Sequence, residues 1–205
     1  MAVEFKRSKT RENLMRAFAG ESQARNRYTI AAETAGDQHM FAIQQVFLFT
    51  ADQERAHAER FYDLLKPFAG TTIAIDGSYP VDHFDDVIQL LRAAQHNEME
   101  EYKDVYPAFG DVAKEEGFPE IAAAFYQIAR IERIHGKRFG KLAALLESGQ
   151  YFECVAGREW MCLNCGHIYP GRKLPDVCPV CRHDKGYFIP VELAPYLECD
   201  FLKTE

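Results

Sequence analysis

The sequence predicts a mainly α fold, a four-helix bundle with one long crossover, followed by a small β-rich domain held together by metal. Two observations carry this. From about residue 9 to residue 146, apolar residues recur at alternating steps of three and four, the spacing of helices that bury one stripe. From residue 149 the composition shifts to Cys, Pro, Gly and aromatics with short β-prone runs, as in small domains that need a metal staple. The expected domains are therefore residues 1–148 and 149–205.

A chain of 205 residues, 47% hydrophobic and 27% charged, has room for one medium and one small globular domain. Its net charge of −7 argues against nucleic acid or an anionic membrane as partner. The N-terminal MAVEFKRSKTREN has no apolar h-region, and no run reaches the roughly 18 apolar residues of a membrane span. A cytoplasmic location is expected. Six cysteines in a reducing compartment then read as metal ligands in preference to disulfides.

The first helix is expected from about Thr10 to Ala35, ending at Gly36, with Asp37 placed to cap the second. The second runs to about Lys66, where Pro67 stops it. Residues Ala69 to Pro80 (AGTTIAIDGSYP) lack helical periodicity and can carry the chain from one end of a bundle to the other. The third helix is expected from about Asp82, and Pro107 should kink or end it, with a continuation to Glu116. The fourth runs from Pro119, a good first-turn residue, to Leu146. Short, long and short connections describe the ferritin-like arrangement.

Five glutamates and two histidines fall on the apolar stripes. In the first helix the stripe reads Leu14, Ala17 or Phe18, Glu21, Tyr28. In the second it reads Ile43, Val46 or Phe47, Thr50, Glu54, His57, Phe61, Leu64. The third gives Phe84, Val87, Leu91, Ala94, Glu98, Glu101, Val105. The fourth gives Ile121, Phe125, Ile128, Glu132, His135, Phe139, Leu142. Burying one unpaired carboxylate costs several kcal/mol or forces protonation, so convergent carboxylates with imidazoles point to metal. Glu-x-x-His places both members of each pair on one helix face. Solvated surface charges would have to line up on four helices at once to give the same pattern.

The chain also repeats itself. Glu21 and Glu54 stand 33 residues apart, Glu98 and Glu132 stand 34 apart, and a His follows each downstream Glu by three. Each half thus offers one lone Glu and one Glu-x-x-His pair, the ligand set of di-iron carboxylate bundles. Five carboxylates with two imidazoles suit two iron or manganese ions better than zinc. Glu101 has no twin, its counterpart being Ala24. His39, His83 and His96 lie off the stripes and are expected to be solvated. Tyr28 and Tyr106 read either as hydrogen-bond partners of ligand carboxylates or as ordinary core tyrosines.

Cys162-Leu-Asn-Cys165 and Cys178-Pro-Val-Cys181 are two Cys-x-x-Cys knuckles separated by twelve residues, the spacing of one tetrahedral four-thiolate site. Zinc and iron both use four thiolates. A neighbouring redox site needs an electron supply, which favours iron here and leaves zinc as a substitute. Cys154 and Cys199 fall outside the knuckles and are expected to be free thiols.

Glu21-Ser-Gln-Ala-Arg, Glu54-Arg-Ala-His57, Glu98-Met-Glu-Glu101, Glu132-Arg-Ile-His135 and CLNCG…CPVC together resemble rubrerythrin, across both domains and in order. Arg182 departs from the family, where a small residue commonly follows the last cysteine. The resemblance implies a rubredoxin-like second domain and a non-haem di-iron peroxidase that reduces hydrogen peroxide to water in oxidative-stress defence. It implies that Glu21, Glu54, Glu98, Glu101, Glu132 and His135 hold the oxidised di-iron pair, with His57 replacing Glu101 on one iron upon reduction. Tyr28 and Tyr106 match tyrosines beside that site. Cys162, Cys165, Cys178 and Cys181 match the ligands of a mononuclear iron that feeds electrons to the partner subunit of a homodimer. An external donor, a reductase or rubredoxin fed by reduced nicotinamide cofactor, is implied upstream. The rival readings are a di-iron oxidase or ferroxidase that uses oxygen, and a ferritin-like iron-binding protein.

Overall fold

The computed structural model describes residues 3–194, so Cys199 lies outside the described residues. Helices α1 (Lys9–Asp37) and α2 (Phe41–Leu64) form one antiparallel pair. A crossover leads to α3 (Val87–Glu100), a π-helical turn at Glu101–Val105, α4 (Tyr106–Glu115) and α5 (Pro119–Glu147). This is the ferritin-like bundle that the connection lengths predict.

The caps differ from expectation at two junctions. Asp37 does not cap α2; it is the last residue of α1. His39 adopts φ 58°, its amide reaches Gly36 O at 2.9 Å and that of Met40 reaches Ala35 O at 2.8 Å. This is a Schellman closure, with histidine in the left-handed position where glycine is usual. Gly36 is small for another reason, since an added Cβ would meet the Gln44 side chain at 2.5 Å. The third helix starts five residues later than expected, because the Asp86 carboxylate accepts from the Gln89 amide and caps it. Phe84 therefore lies in the crossover, exposed, and not on the core stripe.

Pro107 does not end the helix, which continues through Glu115. It sits at the second position of α4, where its missing N–H leaves no donor to pair. The turn before it widens, and the Tyr106 amide donates to Glu101 O, five residues back. The start of α1 is closed from far along the chain. Glu116 accepts from the Lys9 amide at 3.0 Å, the Thr10 amide at 2.8 Å and the Thr10 hydroxyl at 2.6 Å.

Beyond α5 lies a three-stranded antiparallel sheet in the order β2 (Ile168–Lys173), β1 (Glu153–Cys162), β3 (Phe188–Pro190). Trp160 pairs with Tyr169 on one side and Pro190 on the other. Strand β2 contains Pro170, which an edge strand tolerates. Trp160, Cys162, Leu174, Cys178 and Phe188 make the small core. Tyr151 and Ile189 join the apolar cluster at the α1–α2 end of the bundle, and Phe41 stacks on Tyr187 with centroids 4.5 Å apart. Gly186 lies so close to the His39 carbonyl that a Cβ would collide with it. The two domains thus pack directly on one another.

Candidate metal centres

Glu21, Glu54, His57, Glu98, Glu132 and His135 converge in the bundle core, none more than 8% exposed. Their ligand atoms form two groups, each mutually within 4.8 Å: Glu21, Glu54, His57 and Glu132, then Glu54, Glu98, Glu132 and His135. Glu54 and Glu132 belong to both. Two cation positions bridged by two carboxylates, with one lone Glu and one His at each, are what this sharing describes. The repeat in the sequence is thus a two-fold pattern in the site. α2 supplies Glu54 and His57, α5 supplies Glu132 and His135, and α1 and α3 supply the lone glutamates.

The donor atoms are aimed inward and left without partners. Glu21 Oε2, Glu98 Oε2, both carboxylate oxygens of Glu54 and Glu132, and Nδ1 of His57 and His135 are buried with no hydrogen bond. His135 Nδ1 lies 2.9 Å from Glu132 Oε2, 3.1 Å from Glu54 Oε1 and 3.4 Å from Glu98 Oε2. His57 Nδ1 lies 3.0 Å from Glu132 Oε1 and 3.6 Å from Glu54 Oε2. These approaches lack hydrogen-bond geometry, so the atoms point at common positions and not at each other. Buried groups left in this state are costly, and cations at those positions satisfy them all. The residues fit two metal ions.

Electrostatics point the same way. Burial pushes the Glu21 and Glu98 carboxyls up, and repulsion from Glu54 adds to it. Burial also opposes ionisation of Glu54, but contacts with Glu21, His135 and His57 outweigh it and hold this carboxyl below the usual range. Burial would lower the histidines, yet the surrounding carboxylates raise both, His135 to about 12. Without cations the cluster must carry protons in their place.

Glu101 stands apart. It opens the π turn, belongs to neither donor group and keeps partial exposure. Burial of its carboxyl, then repulsion from Glu21 and Glu98, still pushes its pKa up, so it lies beside the cluster without joining it. His57 occupies the donor set in its place. Of the two arrangements that the resemblance implies, this matches the one with His57 in and Glu101 out.

Both tyrosines reach ligand carboxylates. Tyr28 donates to Glu98 Oε1 at 2.5 Å, and Tyr106 donates to Glu21 Oε1. Burial, then the adjacent carboxylates, raises both phenols, so they stay protonated and act as donors. Gln53 is a residue that sequence reasoning missed. Its Oε1 lies 3.0 Å from His135 Nε2. With Nδ1 facing the carboxylates, Nε2 carries the proton and donates to that amide oxygen, which fixes tautomer and ring orientation. Nothing in the sequence marks it, because a glutamine on a helix is usually solvated. His39, His83 and His96 are exposed, as expected.

In the small domain, Cys162, Cys165, Cys178 and Cys181 place their sulfurs within 4.8 Å of one another. Cys162 and Cys181 Sγ are 3.7 Å apart, Cys165 and Cys178 Sγ 3.8 Å. A metal–sulfur bond of about 2.3 Å gives tetrahedral sulfur–sulfur edges of about 3.8 Å, so the four thiolates fit one ion. The knuckles share one backbone design. The residue after each second cysteine is left-handed, Gly166 with φ 78° and Arg182 with φ 64°. Its amide returns to the first cysteine's carbonyl, at 2.8 Å from Gly166 and 3.0 Å from Arg182. A left-handed backbone there favours glycine, and Arg182 occupies it with a full side chain. The His183 amide, with the Asn164 side chain, lowers Cys181 to about 5 against the effect of burial. Burial raises Cys162 to about 12.

Residues 12–143 match the family description "Rubrerythrin", and residues 160–189 match "Rubrerythrin, rubredoxin-like domain". The chain belongs to the rubrerythrin family. The rubrerythrin of Porphyromonas gingivalis is 44% identical over 192 residues, 94% of each chain. That of Clostridium perfringens is 46% identical over 184 residues, 89% of this chain and 94% of the relative. A solved structure of nigerythrin in a mixed-valence state superposes with a TM-score of 0.61 at 27% identity, covering 93% of this chain and 88% of that one. As a rubrerythrin, the chain carries a di-iron site in the Glu/His cluster and a rubredoxin-like iron site at the four cysteines. Among the described residues, no helix is long and apolar enough to cross a membrane.

Proposed function

We propose that this rubrerythrin is an oxidoreductase, a non-haem di-iron peroxidase that reduces hydrogen peroxide to water, with electrons entering through the four-cysteine iron. The observation that carries the reading is the pairing of two unlike metal sites in one chain. A buried carboxylate-rich cluster favours hard, higher-valent ions, and a thiolate cage favours single-electron exchange with little change of shape. Storage of iron gives no reason for the second site.

Reduction of one peroxide consumes two electrons and two protons and yields two waters. When bound, two ferrous ions supply one electron each and polarise the O–O bond. The chain's own residues prepare the place. Glu54 and Glu132 hold the two positions at a fixed separation, Tyr28 and Tyr106 fix the orientation of Glu98 and Glu21, and Gln53 fixes His135. The apolar packing of α2 and α5 around the cluster, Phe47, Phe61, Phe125 and Phe139, limits bulk water and strengthens each electrostatic contact.

The same proposal includes a homodimer, an external electron donor such as a reductase or rubredoxin fed by reduced nicotinamide cofactor, and a cytoplasmic role in oxidative-stress defence. Rapid mixing tests the central claim. Protein reduced without oxygen should be reoxidised much faster by hydrogen peroxide than by dissolved oxygen. Equal rates would replace the peroxidase reading with that of an oxidase or ferroxidase.

A further inference from the structure

Beside the di-iron cluster lies a cavity of about 260 Å³, bounded by α1, the π turn and the crossover segment at Gly77 to Pro80. Its inner wall includes Glu101 and Tyr106, the latter hydrogen-bonded to the ligand Glu21. The cavity therefore reaches the edge of the metal cluster. A space of this size holds several water-sized molecules, so discrimination against bulkier hydroperoxides falls to the bore at Gly20 and Tyr79 and not to the volume.

Gly20 makes the cavity more than a packing gap. It is buried in the interior of α1, one residue before Glu21, and an added Cβ would touch only Tyr79 Cε1, at 3.9 Å. Four other helical glycines have a packing reason. At Gly36, Gly110, Gly136 and Gly140 a Cβ would come within 2.5, 2.5, 3.0 and 2.4 Å of neighbouring side chains. Glycine inside a helix is destabilising relative to alanine, and no close neighbour at Gly20 accounts for it. What a side chain would fill there is the cavity itself.

The crossover closes the outer side and is fastened at both ends. Arg16 holds Asp76 at 2.6 Å. Asp82 Oδ2 accepts from Arg27 at 2.7 Å and Asn97 at 2.6 Å. Between these fastenings the Tyr79 ring, 42% exposed, stands in front of Gly20.

We propose that this cavity is the port by which hydroperoxide reaches the di-iron cluster, and that Gly20 and Tyr79 set its bore, admitting hydrogen peroxide and excluding bulky organic hydroperoxides. The choice of substrate rests on the peroxidase reading; the existence of the port does not. The test uses the full-length, iron-loaded protein with azide as a small non-reacting probe, followed by the absorption change on binding. Gly20→Leu should slow both azide association and oxidation by hydrogen peroxide about tenfold or more, with iron content unchanged and thermal melting no lower than in the wild type. Gly20→Ala, which fits at ordinary contact distance, should slow them less and covers the case in which the leucine variant does not fold. Tyr79→Ala should raise the rate with cumene hydroperoxide, relative to hydrogen peroxide, by about tenfold. Unchanged azide association in the folded Gly20 variants would overturn the port. Unchanged selectivity in Tyr79→Ala would overturn the role of its ring. If the wild type reacts no faster with peroxide than with oxygen, the substrate assignment falls while the azide rates still decide the port.

Discussion

His135 presents Nδ1 to three carboxylates because its Nε2 is engaged by Gln53, 3.0 Å away across the α2–α5 interface. Residue 53 thus orients a metal donor on the opposite helix, and stands immediately before the ligand Glu54. Partners of this kind typically contribute 10–100-fold in metal affinity. Gln53→Leu should weaken iron binding by about that factor, measured by chelator competition. Gln53→Glu keeps an acceptor and should retain binding. Equal affinities in wild type and the leucine variant would remove Gln53 from the site.

Glu101 and His57 divide differently. His57 Nδ1 belongs to a donor group and Glu101 to none. His57→Ala should therefore lose iron from one position of the pair, by about half of the di-iron content on elemental analysis after desalting. On the proposed peroxidase reading, and on the exchange with His57 that the family resemblance implies, Glu101→Ala should keep both irons but lose peroxide turnover, since the π turn leaves Glu101 outside both donor groups. Undiminished turnover in the alanine variant counts against that exchange.

Much of this site is legible in the sequence, and the illegible parts share a cause. The Glu and His ligands betray themselves because a helical stripe of period 3.6 makes a polar residue on it anomalous. The π turn leaves no such trace. Its defining bond, from the Tyr106 amide to Glu101 O, is made by backbone alone, and the side-chain spacing from Glu98 to Glu101 reads as ordinary helix. Gln53 is silent because its partner is 82 positions away. Strand β2 is hidden by Pro170 and Gly171, which look like a turn until an edge position makes proline tolerable. Asp86 displaced the start of the third helix because several acids near it could have capped.

The single tryptophan makes the small domain readable by itself. Trp160 is fully buried beside Cys162 and Cys178, and its indole donates to Tyr151 O at 2.8 Å. A left-handed non-glycine residue costs about 1–2 kcal/mol. Arg182→Gly should therefore stabilise the zinc-substituted domain by about 1 kcal/mol, after the greater freedom of glycine in the unfolded chain is subtracted. Arg182→Val should destabilise it by more than about 1 kcal/mol, since a β-branched residue fits that backbone poorly. Urea unfolding followed by Trp160 fluorescence measures both. Helical circular dichroism, dominated by the bundle, should not shift in either variant.

Glu116 closes the N-terminus of α1 from 106 residues away in sequence, joining the end of α4 to the start of the bundle. Burial would raise its pKa, but the Thr10 hydroxyl and amide, the Lys9 amide and the Lys9 charge lower it below the ordinary value. The sign of the pH dependence follows. A carboxyl whose folded pKa is depressed stabilises the fold fully above its unfolded pKa of about 4.3 and loses that contribution as pH falls through the folded value. Glu116→Ala should cost about 1 kcal/mol at pH 7, the usual worth of a helix cap. The gap between variant and wild type should shrink below about pH 4, where the wild-type carboxyl is protonated too. Taking the difference cancels the metal ligands, which titrate equally in both proteins and do not touch Glu116. A gap that stays constant from pH 7 to pH 3 would mean that the charge of Glu116 does nothing and only its packing matters.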